Sequence, residues 1–109
     1  MPAPAAAPRV SVLLPVRDAA RTLAECLRSL SAQSLADHEV VAADDGSCDG
    51  SREILEGAAR ADARVRVVEV AGRGLVAALN ACLAGARAPL LARMDADDVA
   101  EPRRLEIQT

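Results

Sequence analysis

The 109-residue sequence contains no phenylalanine, tyrosine or tryptophan. A domain of this size buries only about two-thirds of its unfolded surface, and aromatic rings bury the most area per side chain. Leucine, valine, isoleucine and alanine must therefore fill the core. Stability is expected to be marginal, with burial completed by a partner surface such as a second copy of the chain. Lysine is absent too: all thirteen basic residues are arginine, scattered among sixteen acids for a formal net charge of −3. No basic stripe tracks a phosphate backbone, so nucleic acid is not an expected partner. Cys26, Cys48 and Cys82 form no CxxC pair of the kind that binds zinc or shuttles electrons, and they read as free thiols of a reducing compartment. The opening "MPAPAAAPR" lacks the basic and long apolar segments of a secretory signal or membrane anchor. Residues 1–9 are expected to be a flexible tail and residues 10–109 a single domain, with no repeat or interior linker.

What is present is a change of hydrophobic period at regular intervals. "VSVLLPV" (10–16) has the pattern of a strand buried on both faces. Leu23, Cys26, Leu27 and Leu30 then recur with helical spacing, Asp18 is placed to cap that helix, and Arg21 and Glu25 can pair on its wet side. "HEVVAA" (38–43) reads as a second strand, with His38 a surface residue at its start. "DDGSCDGS" (44–51) signals a turn in which Asp49 or Ser51 can cap a helix carrying Ile54, Leu55, Ala58 and Ala59. "VRVVEV" (65–70) is a third strand, and "AGRG" breaks the chain. Leu75, Val76, Leu79, Cys82 and Leu83 mark the inner face of a third helix, and "PLLARM" (89–94) is a fourth, buried strand. The alternation predicts an α/β, Rossmann-like fold, a mainly parallel sheet with helices on its faces. Ligands of such sheets bind beyond the carboxyl ends of the strands. Arg17 and Asp18, Asp44 and Asp45, Arg73, and Asp95 to Asp98 all fall there.

Loops are polar in any protein, so each group needs weighing. Helix capping accounts for Asp18, Asp49 and Ser51, and turn-filling for Cys48. A solvated loop arginine and a phosphate ligand fit Arg17 and Arg73 equally. Capping does not call for two or three neighbouring carboxylates, which sets the Asp44–Asp45 pair and the "DADD" run of 95–98 apart. Two like charges about 4 Å apart repel by roughly 4 kcal/mol at an effective dielectric of about 20. Such a cluster spreads into solvent or takes up a cation.

The segments "VSVLLPVRDAARTLAECLRSLSAQSL", "DDGSCDGSREILE" and "GLVAALNACLAGARAPLLARMDADDVAEPRRLE" resemble the N-terminal, nucleotide-sugar-binding half of family 2 glycosyltransferases, inverting enzymes of GT-A fold. The resemblance covers nearly the whole chain after the tail. It implies a nucleotide-diphosphate sugar, such as a UDP-sugar, lying across the sheet edge. Pro15, Arg17 and Asp18 would border the base, Asp45 would hydrogen-bond it with Asp44 alongside, and Arg73 would join the nucleotide-sugar contacts. Asp95 and Asp97 form the DxD pair: Asp97 would ligate a divalent ion, and Asp95 would face the ribose or a metal-bound water. A hard Mn²⁺ or Mg²⁺ suits these oxygen ligands. In the family, the general base and the acceptor site lie in a C-terminal half, so the base is expected beyond Thr109, in a longer cytoplasmic or membrane-associated protein. Arg17 stands where many relatives carry an aromatic residue that stacks on the base, and a guanidinium plane can stack instead.

Three other readings compete. "MDADDV" also fits the signature of haloacid-dehalogenase-like phosphatases, and a receiver domain also carries paired acids in a parallel sheet. Both call for a lysine that this sequence lacks. A non-catalytic module that binds nucleotide or metal, or packs against a protein partner, remains; metal-dependent nucleotide binding is the observation expected to separate the glycosyltransferase reading from it.

Overall fold

The computed structural model, which describes residues 8–35, 37–68, 70 and 74–108, alternates strand and helix as the periods require. The elements are β1 (Val10–Val16), α1 (Ala20–Ser31), β2 (His38–Asp44), α2 (Ser51–Ala61), β3 (Val65–Val68), α3 (Leu75–Gly85), β4 (Leu90–Arg93) and a short α4 (Arg104–Gln108). The sheet order is β3-β2-β1-β4 and every pairing is parallel. The chain steps outward from β1 to β3, then crosses back to lay β4 on the other side of β1. That reversal opens a crevice between the carboxyl ends of β1 and β4.

Two cores sandwich the sheet, because successive strand residues face opposite sides. Val10, Val12, Leu14 and Val16 join Val40 and Ala42 against Leu23, Cys26, Leu27 and Leu30 of α1 and Leu55 of α2. Each fully buried leucine or valine contributes about 1.5–3 kcal/mol of transfer free energy. On the other face Leu13, Val41 and Ala43 meet the small buried Ala78 and Cys82 of α3, with Val68, Val70, Ala81 and Ala86 packed around them. The approach there is close: a Cβ added at Gly85 would lie 3.0 Å from Val68 Cγ1 and 3.3 Å from Val41 Cγ1.

Pro15 marks where the sheet opens. Leu13 directs its carbonyl to the Met94 N–H that follows β4, and Val16 directs its own to Asp45 beyond β2. By alternation Pro15 faces the β4 side, two residues past the end of the β1–β4 register at Leu13 and Arg93. A residue without an N–H is tolerated at that point because no partner strand remains to receive one.

Several expectations need correcting. Among the α3 residues read as its inner face, Cys82 is buried, but Leu75, Val76 and Leu83 are 51%, 72% and 49% exposed. The helix is apolar nearly all round, so periodicity carries no phase, and close packing selected Ala78 and Cys82. The fourth strand is no buried strand: β4 lies at the sheet edge, with Leu90 and Leu91 exposed. His38 is not at the surface; it is 3% exposed, and its Nδ1 lies 2.7 Å from the Leu35 carbonyl. Burial holds its pKa below the ordinary histidine value, against the opposing pull of the Leu35 hydrogen bond. Asp18 does not cap α1, whose N-cap is Ala19, and Gly50 rather than Asp49 or Ser51 is the N-cap of α2. Asp49 and Ser51 also serve the other helix: Ala20 N–H donates to Asp49 Oδ2 at 3.0 Å and Ala19 N–H to Ser51 Oγ at 2.9 Å, while Asp49 Oδ1 accepts the Ser51 N–H at 3.2 Å. β3 ends at Val68, with Glu69 outside the described residues, as are residues 1–7 of the expected tail.

At the amino end of the sheet lies a carboxylate that the strand pattern gave no reason to single out. Glu39 is 1% exposed. Its Oε2 accepts from Ser11 Oγ at 2.5 Å and from the Arg87 N–H at 2.8 Å, while Oε1 meets Arg66 Nη2 at 2.8 Å and Arg87 Nη2 at 3.1 Å. Arg66 also donates to the Gly85 carbonyl. Burial alone would raise the Glu39 pKa, but the hydroxyl, amide and guanidinium donors outweigh it and hold the carboxyl below the ordinary glutamate value.

Candidate functional site

The crevice between β1 and β4 is a cleft of about 660 Å³, within the size range of small-molecule sites. One wall is the end of β1 and the turn after it, with Pro15, Arg17 and Asp18; the other is the turn after β4, with Asp95 and Asp97; the first turn of α1 adds Arg21 and Thr22. Asp18 takes a left-handed backbone conformation, φ +48°, which aspartate tolerates better than most residues. Its Oδ1 accepts the Cys48 N–H at 2.7 Å, and its own N–H donates to Ser47 Oγ at 2.9 Å. These bonds tie the β1 turn to the β2 turn.

A smaller cavity of about 160 Å³ adjoins the cleft beside Pro15, Arg17, Asp45 and Leu75. Asp45 is 4% exposed and is met from two sides: Oδ2 lies 3.7 Å from Arg17 Nη1, and Oδ1 accepts the Gly74 N–H at 3.2 Å. Gly74 sits at φ +100°, a conformation that disfavours a side chain. The neighbouring Asp44 lines neither space. It is 7% exposed under the β2–α2 turn, where Oδ2 accepts the Ser47 N–H at 3.2 Å and Oδ1 has no hydrogen-bond partner.

After β4 the backbone keeps alternating. Met94 and Ala96 are buried, and Asp95 and Asp97 project outward. A turn closed by Asp98 N–H donating to the Asp95 carbonyl at 3.0 Å brings Asp98 alongside. The three exposed carboxylates can offer one ligand atom each within 4.8 Å of one another. Arg93 Nη2 lies 3.4 Å from Asp95 Oδ1, and Arg104 Nη2 donates to the Arg93 carbonyl at 2.8 Å. Behind the turn, burial and the nearby charges of Asp98, Asp97 and Asp95 push the Cys26 thiol up to about 12. It stays protonated, and its S–H points to the Asp95 carbonyl at 3.6 Å.

The structure therefore brings Pro15, Arg17, Asp18, Asp95 and Asp97 into one cleft and Asp45 into its annex; Arg73 lies outside the described residues. Arg21, expected to pair with Glu25 on the solvent side, lines the cleft instead, as do Thr22 and Arg93. Their signal in the sequence is only position, one turn into the helix after β1 or one residue ahead of Met94. The mixture of three arginines with the acids suits a ligand bearing both cation and phosphate, since guanidinium groups match phosphate oxygens.

Residues 11–108 match the family described as Glycosyl transferase family 2. The chain is 39% identical over 103 residues to the putative glycosyltransferase EpsE of Bacillus subtilis (strain 168), covering 93% of this chain and 37% of that protein. Among solved structures, S. aureus TarS 1-349 in complex with UDP superposes with a TM-score of 0.83 at 26% identity, over 92% of this chain and 30% of that one. Mannosyltransferase PcManGT from Pyrobaculum calidifontis, in complex with GDP-Man and Mn²⁺, superposes with a TM-score of 0.75 at 30% identity, over 89% of this chain and 30% of that one. The chain spans about a third of the length of the curated relatives it matches, 37%, 26% and 28% of three of them. A match that leaves out only ten residues at one end and one at the other, carried on the same strand-and-crevice architecture, places the chain in glycosyl transferase family 2.

Proposed function

We propose that the cleft between β1 and β4 binds a nucleotide-diphosphate sugar together with Mn²⁺ or Mg²⁺, and that the chain supplies the donor-binding part of an inverting glycosyl transfer. The observation that carries this reading is the convergence of Asp95, Asp97 and Asp98, ligand atoms within 4.8 Å, with Asp95 and Asp97 lining a cleft large enough for a nucleotide. The donor set fits the cation: carboxylate oxygens with open coordination directions are what a hard divalent ion takes, with diphosphate oxygens completing its shell. Asp97 and Asp95 would hold it. Bound there, the ion would stabilise the charge left on the departing diphosphate as a Lewis acid. Arg17, Arg21 and Arg93 flank the position that diphosphate would take, and Arg73 is kept in the contact set from its place in the sequence. The annex at Asp45 is the base pocket in this reading, with Pro15 as its floor and the Arg17 guanidinium able to lie over a ring; Asp18 and Asp44 brace the two turns that form it. The printed ligands of the structural relatives, UDP in one and GDP-Man with Mn²⁺ in the other, support both parts.

The base that deprotonates the acceptor belongs, in this proposal, to the part of the relatives that this chain does not span. In this reading the full-length protein works in the cytoplasm, free or membrane-associated. Among the described residues no helix is long and apolar enough to cross a membrane. Exposed Leu90, Leu91, Val99 and Ile107 support a homo-oligomeric contact along β4 and the residues after it, which light scattering at micromolar concentration tests against a stable monomer. Calorimetry with UDP and with GDP, in Mn²⁺ and in EDTA, tests the donor reading. Binding that needs the metal and is lost in Asp97→Ala is expected; equal binding in EDTA, or by the variant, refutes it.

A further inference from the structure

Beside its leucines α1 carries a second stripe. Thr22, Cys26, Ser29 and, just past the helix end, Gln33 recur at i, i+4, i+7 and i+11, one above another along a single face. Each of them meets backbone of the acidic segment. Thr22 Oγ1 donates to the Ala96 carbonyl at 3.0 Å, and the Cys26 S–H points to the Asp95 carbonyl. Ser29 Oγ accepts the Ala100 N–H at 2.9 Å. Gln33 uses both ends of its amide: Nε2 donates to the Glu101 carbonyl at 2.8 Å and Oε1 accepts the Leu105 N–H at 3.0 Å. The Ser34 N–H extends the row to the Pro102 carbonyl at 2.8 Å. Between β4 and α4 the chain forms neither helix nor strand, so its buried backbone groups need partners elsewhere, and α1 provides them.

The two carbonyls at the head of the row belong to the two peptide units that separate Asp95 from Asp97. Holding both against α1 turns the Ala96 side chain inward and both carboxylates outward. We propose that this stripe of α1 is the positioning template of the acidic loop: Thr22 and Cys26 fix the spacing of Asp95 and Asp97, and Ser29 and Gln33 anchor the chain that follows, so that a divalent cation meets two ligands already in register. The inference rests on the metal reading above. Its physical basis is preorganisation, since ligands that must be ordered on binding lose affinity to that ordering, and groups that orient metal ligands typically change affinity by about 10- to 100-fold when removed.

Two readouts on the 109-residue chain test it. Without metal, amide hydrogen exchange over residues 94–101 is expected to quicken by about tenfold in Thr22→Val, which keeps the branched shape but loses the donor, and in Gln33→Leu. Thr22→Ser should return it towards the parent rate. With UDP or GDP present, Mn²⁺ titration followed by electron paramagnetic resonance should show about tenfold weaker binding in Thr22→Val and recovery in Thr22→Ser. A purely structural hydroxyl would lower the thermal midpoint and leave the Mn²⁺ affinity of the folded chain alone. Unchanged exchange in both variants overturns the template. Faster exchange with unchanged Mn²⁺ affinity overturns its link to the metal. A parent chain that binds no Mn²⁺ with either nucleotide overturns the metal reading, and this inference with it.

Discussion

Acidic side chains stand at both ends of the sheet under opposite conditions. At the amino end, Glu39 is sealed beneath the α3–β4 connection with a hydroxyl, an amide and two guanidinium groups upon it. At the carboxyl end, Asp95, Asp97 and Asp98 crowd together in the open, where Arg93 reaches only Asp95. A carboxylate whose lone pairs are all taken by the protein holds segments together: Glu39 joins β1, β2, β3 and the chain before β4. Carboxylates left facing solvent at mutual distances of a few ångströms do no such joining, and their open lone pairs are available to something that arrives from solution. Between Glu39 and these three aspartates, burial and pairing, more than charge, separate an acid that holds the fold from acids open to a cation.

The largest effect expected from this contrast is on stability at the amino end. Glu39→Ala should destabilise the chain by about 3 kcal/mol, measured as a shift in urea midpoint, because Ser11, Arg66 and Arg87 lose their acceptor together. The outer parts of both guanidinium groups reach water, which limits the loss. A change below about 1 kcal/mol would break the comparison. Asp97→Ala should do the reverse: Mn²⁺-dependent UDP or GDP binding weaker by about 100-fold, or about 2.7 kcal/mol, with the urea midpoint equivalent to the parent within about 0.5 kcal/mol. Removing Mn²⁺ with EDTA should likewise erase the thermal stabilisation by nucleotide in the parent and in Glu39→Ala alike.

Acid should act on the amino end in two stages. His38 is held neutral in the fold, so below about pH 6.5 the unfolded chain binds more protons and stability falls towards the lower native pKa. Glu39 repeats this below about pH 4.3, its contribution being lost as the pH falls through its depressed native value. Urea midpoints across this range should show both stages, and His38→Asn should abolish the upper one. The smallest effect is at Arg17, whose side chain is 64% exposed at 3.7 Å from Asp45. Arg17→Ala should change stability by less than about 0.5 kcal/mol, and a larger loss would mean that the pair belongs with Glu39.

The order of strands and helices was legible because β1 and the leucine face of α1 each have a strong period, and the acidic loops were legible because caps do not explain adjacent carboxylates. What escaped the sequence was whatever depends on which surfaces meet. Leu75, Val76 and Leu83 looked like core because any face of an apolar helix does. Leu90 and Leu91 looked buried because an edge strand and a central strand can share a composition. His38 looked like a surface residue and Glu39 drew no notice, because their partners, Leu35, Ser11, Arg66 and Arg87, are assembled only by the sheet. Asp49 was read only at the start of α2, whose Ser51 N–H it meets, since a carboxylate two residues ahead of that helix gives no sign of reaching across to α1.

That last exchange has a consequence for how the chain folds. α1 has twelve residues, a length at which an isolated helix is marginal in water. The acceptors for its first N–H groups come from residues 29 and 32 positions further along, in a turn that follows β2. Until that turn has docked, the helix lacks its caps, so α1 and the β2 turn are expected to become ordered in one step. A peptide of residues 8–46, which holds all of α1 but neither Asp49 nor Ser51, should show little helix by circular dichroism; one of residues 8–62, which adds the turn and α2, should gain ellipticity beyond the share α2 contributes alone. Strong helicity in the shorter peptide would show that α1 can form before its borrowed caps arrive.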